Sequence, residues 1–273
     1  MMHIDVKGAR VPALGFGTWA LSGRACYEAV RAALELGYRH IDTADMYGNE
    51  AEVGRAIRDS GLARDDIFLT TKVPPGKLHA RDAKHCAEES LRKLGLDRVD
   101  LLLIHWPNSS VPLGETLGAF AELRAAGRTR FIGVSNFPAQ MLRAAVEEHG
   151  ADLLCNQVEY HPYLSQRAVL AAAQKYGLMV TAYSPVAKGR VARDPKLAAI
   201  GRKYGKSAVQ VALRWLIEQP GVAAIPKAGS REHIAANIDI FDFSLGAEDR
   251  ATIAALSEGR RLVDFGDGDW DSE

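Results

Sequence analysis

The sequence predicts an α/β protein built as a single (β/α)8 TIM barrel, with a short N-terminal hairpin before it and a short C-terminal tail after it. Three observations carry that prediction. Eight short runs of strand-forming residues recur along the chain, each apolar at nearly every position, as parallel strands buried on both faces must be. Stretches of helix-forming residues, about three turns each, separate these runs, so the order is βαβα and not blocks of either kind. The length, 273 residues, is close to the ~250 that eight such units require. No linker, low-complexity tract or charge run divides it, which makes residues 1–273 one expected domain.

The strand candidates, in order, are LGFGTW (14–19), RHIDTA (39–44), FLTTKV (68–73), DLLLIHW (100–106), TRFIGVSN (129–136), LCNQVEY (154–160), LMVTAYSPV (178–186) and VAAIPKAG (222–229). Between them, CYEAVRAALELG, EAEVGRAIRDSG, AKHCAEESLRKLG and AVLAAAQKYG carry apolar residues at helical spacing and end in glycine, which supplies the left-handed conformation that closes a helix. Asp65 and Asp66 are start signals before the third strand. Ser207, after the short helix PKLAAIGRKYG, predicts an N-cap for a second helix through AVQVALRWLIEQ.

Composition excludes several classes. Hydrophobic residues make up 47% and charged residues 25%, enough for a filled core and against a disordered majority. Lys plus Arg and Asp plus Glu both come to 34, so no net field recruits nucleic acid or an anionic membrane. Cys26, Cys86 and Cys155 are odd in number and widely spaced, which fits neither a disulfide framework nor a zinc ribbon and points to a reducing, cytoplasmic compartment. The longest apolar run, around LLLIHWP, is too short to span a bilayer, and the first residues have no core of signal-peptide length. A neutral surface without exposed heptads makes a monomer the expectation.

A barrel enzyme builds its site from the C-terminal ends of its strands, and here those ends are polar. Asp42, Asp45 and Tyr47 follow strand two, Lys72 ends strand three, and His105 and Trp106 end strand four. Ser135 and Asn136 end strand five, strand six carries Asn156, Gln157 and Glu159, Tyr183 and Ser184 end strand seven, and Lys227 ends strand eight. Each alone has a structural explanation, but a barrel gathers them at one mouth, where buried polar atoms must satisfy one another or a ligand. A buried Asp42–Lys72 pair would stay charged, and its ammonium beside Tyr47 would lower a phenol pKa that starts at about 10. Tyr47 could then protonate a carbonyl oxygen oriented by His105 while a hydride reaches the carbon.

The same residues carry a resemblance. Asp42 and Tyr47 in DTADMYGNE, Lys72 in TTKV and His105 in LIHWP resemble the Asp, Tyr, Lys, His tetrad of the aldo-keto reductase superfamily, in its order along the chain. GVSNF (133–137), NQVEYHP (156–162), AYSP (182–185) and IPK (225–227) extend the likeness over about residues 10–240. The resemblance implies an NAD(P)H-dependent carbonyl reductase that uses no metal. It also implies that Ser135, Asn136 and Gln157 hold the nicotinamide carboxamide, that Tyr183 stacks on the ring with Ser184 next to it, and that Lys227 and Asn237 grip the adenosine end. The tail GRRLVDFGDGDW resembles the bacterial branch of 2,5-diketo-gluconate and methylglyoxal reductases. A short tail leaves an open mouth, where Trp19, Met46 and Trp106, with Trp270, form a wall for small 2-oxoaldehydes, aryl aldehydes and keto-sugars such as 2,5-diketo-gluconate.

Three positions depart from the family's NADPH clamp: Ala228 lacks a hydroxyl, His233 replaces a guanidinium and Ala236 replaces a carboxylate. Ser230 and Arg231 are near enough to substitute, and the helix N-terminus there attracts phosphate. The expectation is NADPH use with weakened discrimination, so that NADH is also accepted. Gly15, Gly17 and Ala20 spell GxGxxA with Glu35 twenty residues past Gly15, yet they lie in the first barrel strand and not at a Rossmann turn. His161 beside Glu159 has no accompanying ligand set, which favours a structural pair over a metal site. Lys188 and Arg190 either draw an acidic keto-sugar or are solvated loop charges. Alternatives that stay open are alcohol oxidation by the same site, a nicotinamide-binding redox-sensing subunit, and a metal-dependent hydrolase.

Overall fold

The computed structural model describes residues 1–263 and Trp270. The acidic tail positions 264–269 and 271–273, which carried part of the branch resemblance, lie outside the described residues.

Two short strands, β1 (His3–Val6) and β2 (Ala9–Pro12), pair antiparallel as the expected hairpin. Eight parallel strands follow: β3 (Phe16–Gly17), β4 (His40–Asp42), β5 (Phe68–Val73), β6 (Val99–Ile104), β7 (Thr129–Ser135), β8 (Leu153–Glu159), β9 (Met179–Tyr183) and β10 (Val222–Ala224). They pair in chain order, and Leu14 bridges Ala224 in parallel, with Gly15 N–H on the Ala224 carbonyl at 2.8 Å and Ala224 N–H on the Ala13 carbonyl at 2.8 Å. That seam joins the last strand to the first. It also explains the glycines of LGFGTW: a Cβ on Gly17 would lie 2.8 Å from the Ile225 carbonyl oxygen, and one on Gly15 would lie 2.8 Å from the His40 ring. Close packing, not a dinucleotide turn, requires them.

Three strands are half the length, or less, of the runs that predicted them. Residues 14–19 reduce to Phe16–Gly17, 39–44 to His40–Asp42 and 222–229 to Val222–Ala224. Pro226 has no N–H to continue the ladder, and at the other two ends single bonds such as Thr43 N–H to the Thr70 carbonyl replace regular pairing as the chain turns into its loops.

Helices α1 (Gly23–Glu35), α2 (Glu50–Asp59), α3 (Ala80–Leu94), α4 (Leu113–Ala125), α5 (Ala139–Arg143), α6 (Arg167–Lys175), α7 (Pro195–Tyr204), α8 (Ala208–Ile217), α9 (Arg231–Ile238) and α10 (Ala247–Ala254) fill the connections and the C-terminal side. Ser207 caps α8 as predicted: its hydroxyl accepts the Gln210 N–H at 3.2 Å and the Gln210 side chain accepts the Ser207 N–H at 2.9 Å, a reciprocal box worth ~1 kcal/mol. Asp65 and Asp66 sit in a 3-10 turn, Arg64–Asp66, that leads into β5.

Strand alternation divides the core in two. Leu102 and Ile104 of β6 face the helices and belong to the main core, whereas Leu101 and Leu103 face the barrel axis. Near the strand starts, Phe68, Leu154 and Met179 meet Ala9 and Val11 of the hairpin, which therefore plugs the N-terminal end. Apolar packing closes one end of the barrel and leaves the other for polar chemistry.

Candidate active site

Asp42 ends β4, Lys72 is the fifth residue of β5, Tyr47 ends the 3-10 turn Asp45–Tyr47, and His105 follows β6. Parallel register brings these groups together from three successive strand ends between residues 42 and 105. Lys72 is fully buried, and its Nζ donates to Asp42 Oδ1 at 2.5 Å, to the Thr43 carbonyl at 2.8 Å and to the Tyr47 hydroxyl at 3.3 Å. The other Asp42 oxygen accepts from Gln157 Nε2 at 2.7 Å, so each group in the buried pair is satisfied. Burial by itself would pull Lys72 down, but the Asp42 carboxylate and the Tyr47 oxygen outweigh it and hold the lysine above its ordinary value. The ammonium stays charged.

Tyr47 corrects an expectation. Burial pushes its phenol up, and the Lys72 ammonium opposes that shift without reversing it, with the Asp42 carboxylate adding to the rise. The sequence reading counted the cation and could not count the desolvation of a phenolate in a nearly closed site. His105 packs edge-on against Tyr47, with ring centroids 5.7 Å apart at 76°. Burial and the nearby Lys72 charge lower its pKa to about 3, so the imidazole is neutral. Its Nδ1 is buried with no hydrogen-bond partner.

A polar layer lies beside this cluster. The Ser135 hydroxyl donates to the Gln157 carbonyl at 2.8 Å, and the Asn136 amide donates to the His105 carbonyl at 2.9 Å and to Ser135 Oγ at 3.1 Å. Asn136 Oδ1 accepts the Tyr183 hydroxyl at 2.8 Å. Asn136 and Ser184 hold φ of 63° and 49°, left-handed values at the ends of β7 and β9 that cost ~1–3 kcal/mol each where the surroundings impose them. A buried net of amides and hydroxyls and an unpartnered imidazole nitrogen suit a flat carboxamide-bearing ring better than an apolar ligand.

The sequence pattern of the Aldo/keto reductase family matches residues 13–258. The chain belongs to the aldo/keto reductase family. It is 41% identical to the methylglyoxal reductase DkgB of Salmonella typhi, over 93% of this chain and 96% of that one. It superimposes with a TM-score of 0.96 on a protein assigned as a 2,5-diketo-D-gluconic acid reductase B, at 46% identity over 100% of this chain and 98% of the other. The aldo-keto reductase of Bombyx mori, in complex with NADP, gives a TM-score of 0.90 at 35% identity, over 97% of this chain and 95% of that one. An aldo/keto reductase is an oxidoreductase of a family that works with a nicotinamide cofactor, and the expected (β/α)8 fold is the one found.

In this aldo/keto reductase, the stretch expected at the adenosine end surrounds the start of α9. Lys227, Ser230, Arg231 and His233 are exposed, and Ala228 and Asn237 are buried. Ser230 caps α9, its hydroxyl accepting the His233 N–H at 3.3 Å. Arg231 is ion-paired to Glu35 at 2.8 Å, across to the last residue of α1. Both substitutes for the missing clamp are thus already engaged, by contacts to residues the sequence reading did not connect with them.

Trp19 and Met46, 56% and 58% exposed, follow β3 and precede Tyr47, and Trp106 beside His105 is half-buried. Met1 and Met2 are the other large apolar side chains exposed among the described residues. Trp270 stacks under the Arg261 guanidinium, 3.7 Å from ring centre to cation.

Lys188 and Arg190 are exposed loop charges, as the second of the two expectations has it, and both also make contacts within the chain. Arg190 pairs with Glu258 through both nitrogens, at 3.0 and 2.6 Å, and Lys188 donates to the Leu262 carbonyl at 3.2 Å, so both hold the chain's C-terminal segment. Glu159 and His161 are a buried hydrogen-bonded pair at 2.8 Å. Among the described residues no cluster of three His, Cys, Asp or Glu stands ready to hold a metal, and no helix is long and apolar enough to cross a membrane.

Two supports of Tyr47 escaped the sequence reading. Asn49 accepts the Thr43 hydroxyl at 2.7 Å and donates to the Thr18 and Leu21 carbonyls at 2.9 Å each, tying the Tyr47 loop to the first strand's loop. Asp45 is gripped by Lys77 at 2.8 Å and Lys93 at 2.6 Å. Their signal was present: both lie in DTADMYGNE, but only a folded neighbour shows what they hold.

Proposed function

We propose that the protein reduces aldehydes and ketones to alcohols, with Tyr47 as proton donor, His105 as carbonyl-orienting group, and Lys72 and Asp42 as the charged pair that sets their environment. The observation that carries this reading is the Lys72 ammonium held between Asp42 and the Tyr47 hydroxyl beside an imidazole that is neutral. With its pKa lowered to about 3, His105 is neutral at pH 7. It can donate one N–H bond to a carbonyl oxygen, but it cannot be the acid. Tyr47 retains its proton until an alkoxide develops, and the adjacent ammonium stabilises the phenolate left behind.

The bound nicotinamide supplies the hydride. Ser135, Asn136, Gln157, Tyr183 and Ser184 offer the donors, acceptors and aromatic face to hold its ring end, and Lys227, Ser230, Arg231, His233 and Asn237 the charge and polarity for its adenosine end. NADPH is the preferred form and NADH is also accepted, because His233 stands where the family has a guanidinium and Arg231 is shared with Glu35. Two of the four large apolar side chains exposed among the described residues, Trp19 and Met46, flank the site, which favours small carbonyl compounds with an apolar or aryl face, 2-oxoaldehydes and keto-sugars. The protein acts as a cytoplasmic monomer on a single barrel domain.

The test mixes purified protein and EDTA with NADPH or NADH and, in turn, methylglyoxal, an aryl aldehyde and a keto-sugar acid, following nicotinamide absorbance. Turnover that survives the chelator with at least one of these supports the reading. Tight NADPH binding without turnover on any of them would transfer support to a nicotinamide-sensing role.

A further inference from the structure

Lys93 lies on α3, in the outer layer of the barrel, and the proposed chemistry does not use it. A lysine in the last turn of a helix ordinarily complements the helix dipole and points into solvent. Lys93 instead reaches two acidic side chains of other elements. Its Nζ donates to Asp45 Oδ1 at 2.6 Å and lies 3.6 Å from Glu50 Oε2. Glu50, the first residue of α2, has a fully buried side chain, and its Oε2 has no hydrogen-bond partner, so the Lys93 ammonium is the cation that faces it. The other Glu50 oxygen accepts the Thr71 hydroxyl at 2.6 Å. Burial pulls Lys93 down, but Asp45 and Glu50 outweigh it and hold the lysine above its ordinary value. Gly54 permits this reach: without a side chain there, the Leu94 carbonyl of α3 packs against α2, and Arg58 donates to the same carbonyl at 2.7 Å. Lys93, the residue before Leu94, is thereby carried to the start of α2.

Each partner of Lys93 leads to one side of the proton-transfer pair. Asp45 opens the 3-10 turn that Tyr47 closes. Thr71 precedes Lys72 in β5, and successive strand residues point to opposite faces. Leu69 and Val73, on the Thr71 face, belong to the main core beneath the helices, whereas Phe68, on the Lys72 face, belongs to the cluster on the barrel axis. Thr71 therefore meets α2 from the outside of the strand that carries Lys72 inward. The path Asp45, Lys93, Glu50, Thr71 ties the turn that bears the phenol to the strand that bears the ammonium. Lys77, in the turn Pro75–Lys77 after β5, also holds Asp45, at 2.8 Å, but its side chain is about half exposed and the pair is correspondingly weaker.

We infer that Lys93 is a positioning residue for proton transfer: by bridging Asp45 and Glu50 it fixes the Tyr47 turn against β5 and so holds the Tyr47 hydroxyl at its distance from Lys72. As hydride bonds to the carbonyl carbon, the C=O π pair moves onto oxygen, the Tyr47 O–H bond breaks and its proton passes to that oxygen. A phenol displaced from the ammonium gives up that proton less readily. The effect on proton transfer rests on the reductase reading. The bridge itself does not.

The experiment compares Lys93→Met, Lys93→Arg and the double variant Lys93→Met with Glu50→Gln in the full-length protein, on the carbonyl compound that the parent reduces fastest. In Lys93→Met the single-turnover rate should fall about tenfold and its solvent deuterium isotope effect should rise, because a misplaced proton donor slows the step it performs. NADPH Kd should stay within about twofold, since the bridge acts on the proton donor and not on the cofactor. Lys93→Arg should restore most of the rate, a guanidinium being able to span both carboxyl groups. The double variant separates position from stability. It removes the buried acid that Lys93→Met strands while keeping an acceptor for Thr71, so Tm should recover, and the rate should stay low because the bridge is still absent. A parental rate in Lys93→Met, a lowered rate without a larger isotope effect, or recovery of the rate together with Tm in the double variant would each overturn the inference. If Lys93→Met does not fold, the double variant alone decides, and a parental rate in it overturns the inference. If the parent reduces no carbonyl, the reductase reading fails and amide exchange decides the bridge. The Tyr47 and Gly48 N–H groups donate to the Ala44 and Asp45 carbonyls at 3.0 and 3.2 Å. Both should exchange about tenfold faster in the variant lacking Lys93, as expected of a turn that opens locally, and unchanged exchange would show that no bridge holds it.

Discussion

Lys72 Nζ and the Tyr47 hydroxyl lie 3.3 Å apart, and the same ammonium holds Asp42 at 2.5 Å. One cation thus touches both the Asp42 carboxyl group and the phenol proposed to give up its proton. Tyr47→Phe keeps the packing against His105 and removes only the proton, so kcat should fall by ~10²–10⁴ while NADPH affinity stays within about twofold. A variant retaining more than about a tenth of wild-type turnover would contradict the assigned role. Lys72→Met removes the support of Tyr47 and leaves the Asp42 carboxylate buried against an apolar chain, at a cost of ~3–5 kcal/mol in urea unfolding. Adding Asp42→Asn should recover part of the stability and none of the turnover; a double variant no more stable than Lys72→Met would show that the stranded charge is not the cause.

The two perturbed groups predict the pH dependence. Tyr47 is raised above 10 and His105 lowered to about 3, so neither titrates in the neutral range and carbonyl reduction should be flat from about pH 5 to pH 9. For stability His105 contributes a definite sign, which buried His40, also lowered by desolvation, shares. Between about pH 3 and its unperturbed 6.5, the unfolded chain binds the proton and the folded protein does not, so stability falls as pH drops through that window. His105→Gln should flatten the acid limb of a Tm-against-pH curve. An unchanged limb in that variant would assign acid sensitivity to other groups.

Arg231 and Glu35 form an exposed ion pair, so a cofactor phosphate held at Arg231, as proposed, would compete with Glu35 for the same guanidinium. Glu35→Gln should raise the NADPH-to-NADH ratio of kcat/KM severalfold by releasing Arg231, with no change on NADH itself. Arg231→Gln should lower the ratio by a similar factor. If neither moves it, Arg231 does not reach the adenosine end.

Gly54 lies within α2 where that helix meets the end of α3, and a Cβ there would collide with the backbone carbonyl of Leu94. Helix propensity alone predicts that Gly54→Ala stabilises by ~1 kcal/mol. The contact is with backbone and cannot rotate away, so the substitution should instead destabilise by ~1–3 kcal/mol, read as a lower Tm. A raised Tm would mean that α2 and α3 can separate without loss.

Much of the site was legible because its signals are local. DTADMYGNE places two chemical groups, and TTKV and LIHWP one each, at or just after the end of an apolar strand, and the βαβα order brings those ends together without further information. Ser207 and Gln210 were legible for the same reason, since a capping box spans only three residues. The long-range contacts of Glu159 were not. Besides neighbouring His161, its carboxylate accepts the backbone N–H of Leu262 and Val263, at separations of 103 and 104 residues, and nothing in NQVEYHP indicates which backbone will approach.

The sequence by itself determined the repeat, the barrel, and which side chains stand at its mouth, because strand period and strand-end position follow from neighbours along the chain. Tertiary structure decided what those side chains experience. It raised Tyr47 where a local reading of the lysine lowered it, paired Arg231 with Glu35, and gave the loop charges Lys188 and Arg190 contacts with the C-terminal segment. Desolvation depends on everything packed around a group, and ion pairing on groups far away in the chain, so neither is written in the residues beside it.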